Sequence, residues 1–319
     1  MKTPPSTSVH IPLVHALAWI IGSALLVAGI TQQGIKLFLQ HRRPSHAPIA
    51  LTIQSLVQTG PQREGLKTEY LAELMGISAD FPPLVSSFSV QEAEQKLLAF
   101  PLIAQAQVKL LKPNTLYVDY TVRQPIAWLG DYENVALDRA GYPFPFRPFF
   151  SPKNLPEIYL GLGPFGSQSE DLLKPTAQWG HPLTGKSAEL AMTLLQLLGE
   201  PSIQELFTVK RIDLSKAFAE SYGTREIVLF LEDVMLLENG EKTEEHIFPK
   251  ILRLSTKNYA NELGNYLKLR PSLLEKERAQ LKADPSRTEG LRHKEMVIDF
   301  RIPNLAFIDD LEKQHTSSL

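Results

Sequence analysis

Eighteen residues near the N-terminus, Leu13 to Ile30 in "LVHALAWIIGSALLVAGI", contain no Asp, Glu, Lys or Arg. As a helix this run reaches about 27 Å, close to the roughly 30 Å apolar thickness of a bilayer. Inside that layer every backbone N–H and C=O must be paired within the protein, which a helix does by itself. The run therefore predicts a transmembrane helix over residues 13–30, with residues 1–12 as a short tail. Val27 and Gly29 fit the small-residue rule for a cleaved signal peptide, but the run exceeds the about 7–15 residues of a signal core. Flanking charge favours an N-terminus outside the cytoplasm, because Lys2 precedes the run while Lys36, Arg42 and Arg43 follow it.

The rest of the chain has the makings of a water-soluble core. Over 319 residues, 43% apolar and 21% charged content suits a globular protein. A net charge of −2 offers no broad cationic surface for nucleic acid. The absence of cysteine excludes disulfides, thiolate metal sites and cysteine nucleophiles. Residues 31–48 read as a helical extension and a proline-containing juxtamembrane linker.

From Ile49 the pattern becomes regular. Ile49, Leu51 and Ile53 alternate with polar or small residues, predicting a strand that ends near Gly60. Leu66, Tyr70, Leu71 and Leu74 recur at helical spacing, with Gly76 as the stop. Ser89 and Glu92 form a capping box for a second helix, which Pro101 ends. Ala104 to Leu110 and Leu116 to Val122 alternate as strands around the "KPNT" turn. Strand, helix, helix, strand, strand then fill residues 49–124, and two helices on one face of a three-stranded sheet bury every apolar stripe. In "YTVRQPIAW" the good strand runs into Pro125, which has no N–H for a ladder. Pro125 is therefore expected at a strand end or bulge, where the chain leaves one sheet for another.

Beyond it the sequence predicts a mainly antiparallel β domain with packed helices over residues 125–311, followed by a tail, 312–319. Ile227–Leu231 and Val234–Leu237 suggest a hairpin around Glu232-Asp233. Leu190–Leu198 and Ile247–Leu254 suggest helices on that sheet. Residues 270–294 read as a charged, exposed helical insertion with a loop. The proline- and aromatic-rich "GYPFPFRPFFSPKNLP" suggests a surface-clinging loop packed by its own rings.

The strand–helix–helix–strand–strand order resembles the POTRA module. Downstream, "VRQPIAWLGDYENVALDRAGYPF" resembles the FtsQ/DivIB family of bacterial cell-division proteins. Arg123, Pro125 and Ala127 match that family's Glu-Arg-x-Pro-x-Ala type segment, with Val122 replacing the Glu. Leu137, Asp138, Gly141 and Phe144 match its hydrophobic-Asp-x-x-Gly-x-x-Phe turn. "LPEIYLG", "VKRIDLS" and "MVIDFRIPNLAFI" resemble later strand signatures. The resemblance implies an α+β fold: one N-terminal membrane helix, a POTRA domain, then a β domain. It implies a non-enzymatic scaffold of the divisome, single-pass in the bacterial inner membrane at the septum, with a cytoplasmic N-terminus. Its partners would be FtsB/FtsL-like proteins, added as a strand at the terminal sheet edge, together with other divisome membrane proteins. Taken over a last strand of Met296 to Ile308, this places contacts at Ile302, Asn304, Leu305 and Phe307. The other reading of those residues has Leu305 and Phe307 facing the protein's own core.

No enzymatic constellation, metal set or cofactor site is apparent. The histidines are scattered and lack metal-ligand spacing. Gly161, Gly163 and Gly166 satisfy G-x-G-x-x-G, but Pro164 interrupts them and no strong helix follows, which predicts a loop. Asp213 and Asp299 each follow Ile and suit strand-end hydrogen bonding. Two other classes stay in view. An envelope-assembly chaperone calls for several POTRA units or a terminal barrel, and an anchored envelope enzyme calls for an acid/base or nucleophile cluster.

Overall fold

The computed structural model describes residues 13–41, 51–166, 176–239, 242–283 and 292–310. The chain divides into one unit up to Leu51 and a second from Thr52 onward.

The first unit contains α1, Leu13–His41. Its stretch Leu17–Phe38 is long and apolar enough to cross a membrane. The helix runs on past Ile30 to His41, which is the helical extension expected at the start of residues 31–48. Ser23 Oγ donates to Ile20 O at 3.0 Å and Thr31 Oγ1 to Val27 O at 2.6 Å, so these hydroxyls are satisfied by the helix itself. The tail 1–12, residues 42–50 and the C-terminal tail lie outside the described residues.

The second unit begins with β1 (Ser55–Thr59), α2 (Thr68–Met75), α3 (Val90–Leu98), β2 (Ile103–Leu111) and β3 (Thr115–Val122). They form a sheet in the order β1-β3-β2, with β1 parallel and β2 antiparallel to β3. The predicted element order is present, but β1 starts at Ser55, not Ile49. Upstream, the Ile53 N–H is taken by Pro83 O, and Thr52 makes only an isolated bridge to Leu84. The Ser89 half of the capping box forms, its side chain accepting from the Glu92 N–H at 3.2 Å, while the Glu92 carboxylate lies 3.3 Å from Lys96 Nζ; Gly76 ends α2 at φ 77°.

Residues 123–126 carry the chain into a second sheet. The Arg123 N–H still bonds Leu102 O, while the Ile126 N–H bonds Leu137 O. Pro125 lies between these two bonds, so its missing N–H removes no ladder bond. The Arg123 guanidinium donates to Asp138 Oδ2 at 2.6 Å and stacks 3.9 Å from the Tyr142 ring centroid. Asp138 Oδ1 accepts from the N–H groups of Ala140 and Tyr142, and the Gly141 N–H, at φ 78°, closes the turn onto Asp138 O. The two stretches that matched the family pattern thus meet through Arg123 and Asp138.

The larger sheet contains β4 (Ala127–Leu129), β5 (Val135–Leu137), β6 (Pro143–Pro145), β7 (Glu157–Tyr159), β8 (Thr208–Asp213), β9 (Ile227–Asn239), β10 (Lys242–Leu254), β11 (Met296–Asp299) and β12 (Phe307–Asp310). Its order is β12-β11-β10-β9-β8-β7-β4-β5-β6. It is mainly antiparallel, as expected, with three short parallel pairings: β7 runs parallel to both β4 and β8, and β11 runs parallel to β10. Helices α4 (Lys186–Leu198), the short α5 (Pro201–Gln204) and α6 (Tyr259–Ala283) complete the unit. Leu190, Leu194, Leu263, Tyr266 and Leu273 from α4 and α6 share one core with Leu129, Ile158, Ile212, Leu229, Leu252 and Ile298.

Among the described residues the opposite face is closed at the β4–β5–β6 end, where the small sheet packs. Val135 and Leu137 enter the helix-side core, while Ala136 between them joins the small sheet's core. Phe144, Phe146 and Phe150 enter that second core, with Phe146 and Phe150 stacked 5.2 Å apart. The expected surface loop is therefore partly a strand, β6, and partly the aromatic joint between the two sheets.

Three further expectations are corrected. Glu232-Asp233 is not a hairpin turn; both lie inside the continuous β9. Ile247–Leu254 is not a helix but part of β10, paired with β9 along its length. Residues 270–283 belong to a helix that starts at Tyr259, and its buried Tyr266, Leu273 and Leu281 show that it is not an exposed insertion. One buried cluster explains all three. Asp233 and Lys250, both fully buried, lie 2.9 Å apart. From α6, Tyr266 OH and Arg270 Nε donate to Asp233, and Glu277 accepts from Lys250 at 3.3 Å. Charges hold core positions on both strands because the helix supplies their partners.

Candidate functional site

Beyond β10 the chain turns into a hairpin at the sheet's edge. The Phe300 N–H bonds Arg253 O, Phe300 is buried, and Ile302-Pro303-Asn304-Leu305 then reverses direction. The Leu305 N–H closes the turn on Ile302 O at 3.2 Å, with Asn304 at φ 60°. Proline at the second position and a left-handed Asn at the third are what such a turn requires. The expected single strand from Met296 to Ile308 is therefore two strands, β11 and β12, paired antiparallel with Asp299 opposite Phe307 and Ile298 opposite Ile308.

This changes the assignment of the candidate contacts. Only Phe307 lies on the outer strand; Ile302, Asn304 and Leu305 belong to the turn. The reading in which Leu305 and Phe307 face the core is overturned, because they are 62% and 67% exposed. Ile308, which the sequence reading did not select as a contact, sits beside Phe307 on β12 and is also exposed. Among the described residues no strand pairs with the outer side of β12, so its backbone groups there have no ladder partner.

A charged lattice braces the hairpin on the open face. Asp299 accepts from the Arg301 N–H at 3.0 Å and from its guanidinium at 2.7 Å. Arg253 lies 2.6 Å from Glu226 and 3.4 Å from Asp299, and Arg301 lies 3.4 Å from Glu226. β9's start, β10, β11 and the turn are thereby tied together. Burial works to raise the Asp299 pKa, but the hydrogen bonds and charge of Arg301 outweigh it and hold the carboxyl below its ordinary value. The hydrogen bond to Asp299 pushes Arg301 upward in turn.

The other sequence candidates separate. Arg123, Pro125 and Ala127 lie at the junction of the two sheets, away from the hairpin. Asp213 accepts from Ser215 N–H and Oγ, a strand-end arrangement like that of Asp299. Gly161 to Gly166 contain no helix, and a Cβ at Gly161 would come within 3.3 Å of Ser215. Across the open face lies a cavity of about 500 Å³ whose lining includes Trp128, Glu157, Lys210, Arg211, Glu232 and Arg292. Its cations are paired: Lys210 and Arg292 share Glu232, and Arg211 meets Glu157. Sequence spacing also missed a histidine pair, His246 Nδ1 and His293 Nε2, 3.0 Å apart across 47 residues. Among the described residues no group of three or more His, Asp or Glu converges as a metal site.

What the hairpin offers is a free backbone edge, apolar side chains in water and a rigid charged support, the parts used in strand addition. No protein-family model matches the chain, and no curated protein matches it in sequence.

Proposed function

We propose that this protein is a membrane-anchored, non-enzymatic scaffold of the FtsQ/DivIB type. It recruits an FtsB/FtsL-like partner to the division septum by adding a partner strand to β12. In this reading α1 crosses the inner membrane with its N-terminus in the cytoplasm. The β1-α2-α3-β2-β3 unit is a POTRA domain that meets other membrane proteins, and the larger sheet holds the partner. Control of septal wall synthesis is then a matter of assembly and population shift, without chemistry of its own. The observation that carries the reading is the edge of β12, which no strand among the described residues pairs, with Phe307 exposed at the end of a sheet whose hairpin is braced by Asp299 and Arg301.

Two measurements test it. A C-terminal reporter active only outside the cytoplasm is the expected topology, although the flanking charges favour the reverse. Activity only inside the cytoplasm removes the reading. Phe307→Asp in a protein that still melts cooperatively is expected to lose co-purification with the partner; undiminished recovery contradicts the β12 assignment.

A further inference from the structure

One end of the small sheet carries apolar tips that its core does not use. Thr52 bridges Leu84, and the Ile53 N–H donates to Pro83 O at 3.0 Å. The Gln54 N–H donates to Asn114 O at 3.1 Å, and Asn114 Nδ2 donates to Thr52 O at 3.2 Å. These bonds gather the loop around Phe81, the β2–β3 turn and the entry of the chain at one end of the sheet. Phe81 is 84% exposed there, the highest value of any large apolar side chain among the described residues, and Leu84 and Leu111 are exposed with it.

A lone exposed leucine needs no explanation, but a Phe beside Leu84 and Leu111 does. Pro82 and Pro83 restrict the backbone that carries Phe81. Lys112 is exposed beside Leu111. An aromatic ring, two leucines and a lysine are what a protein presents to the lipid interface, where rings sit at headgroup depth and lysine reaches phosphate.

The chain itself selects the occupant. The ten residues 42–51 join the end of α1 to Thr52. At full extension they reach about 35 Å. With the three helical residues after Phe38 added, a bilayer crossed by Leu17–Phe38 is held within about 40 Å of Thr52, the residue bonded to Leu84 and Asn114. Tethering of this kind populates contacts too weak to form between free partners.

We propose that the Phe81 loop and the Leu111–Pro113 turn form a membrane-contact surface that inserts Phe81 into the lipid interface and orients the folded unit above the bilayer. This rests on α1 being a membrane span. Because the chain has no cysteine, single sites can be labelled. Asp80→Cys and Leu25→Cys, each carrying an environment-sensitive dye, would be reconstituted as full chains in phosphatidylcholine–phosphatidylglycerol vesicles containing nitroxide lipids.

The dye at position 80 is expected to be quenched by nitroxide near the headgroup, and the dye at position 25 by nitroxide in mid-chain. Adding Phe81→Ser to the position-80 protein should lower the bound-to-free ratio about tenfold, with its melting temperature unchanged. An unquenched position 80 beside a quenched position 25 overturns the membrane surface and leaves the span standing, as does quenching that Phe81→Ser leaves intact. An unquenched position 25 overturns the span and this proposal with it.

Discussion

At one edge of the nine-stranded sheet, two of the three β6 residues are proline, and Phe144 between them is fully buried. At the other edge, β12 reads Phe-Ile-Asp-Asp, with no proline and with Phe307 and Ile308 in water. Proline has no N–H to offer an incoming strand, and the small sheet's core packs against β6, so that edge is closed twice. At β12 neither device is present. A free strand edge is a liability that natural sheets suppress, so leaving one open after closing its counterpart points to use.

The contrast can be broken from either side. Phe146→Ala, in the joint behind β6, removes a ring stacked on Phe150 and 4.4 Å from Trp128. It should cost about 3–5 kcal/mol, measured by denaturant unfolding, and loosen the contact between the two sheets. A cost near zero would mean that the β6 edge is not held shut by this core.

Asp299→Ala tests the support beneath β12 and should cost about 1–2 kcal/mol through the lost charged hydrogen bonds. Its pH dependence is fixed by sign. The folded carboxyl sits below its unfolded pKa, so its contribution is present above the unfolded value and disappears as pH falls through the folded one. The variant should therefore lose part of the wild-type's acid sensitivity. Glu64 behaves alike: burial pushes its carboxyl up, but bonds from Lys153 and Ser151 prevail and hold it low. Glu64→Gln should flatten the same acid limb. A limb unchanged in both variants contradicts these pairings.

Phe307→Ala should be the mildest change to the fold, within about 0.5 kcal/mol, because its ring touches water on most sides. A large loss of stability would show that β12 is a structural strand and not an open edge.

The small sheet was legible in the sequence because its signals are local. The Ser89 cap, the Gly76 stop and the alternation of β2 and β3 each lie within a few residues. The larger sheet was not, because its alternation runs through charges. Along β10, His246, Phe248, Lys250, Leu252 and Leu254 all point inward, and a lysine in that series hides the period of two. Its partners, Asp233 and Glu277, lie in other elements. The two long strands meet where Asn239 pairs with Lys242, whereas Glu232-Asp233 only resembled a turn. At the candidate site, Pro303-Asn304 already spelled a turn; reading through it merged β11 with β12 and moved three contacts off the edge.

The central claim, that β12 is the open edge and β6 the closed one, is tested most directly by photo-crosslinking in living cells. A photoreactive residue placed in turn at Phe307, Ile308 and Phe144 of the full chain would be irradiated, and the products separated by mass. An adduct of one partner protein from positions 307 and 308, and none from 144, is the predicted result. Adducts from 144 alone, or none from β12 in cells that divide normally, would contradict it.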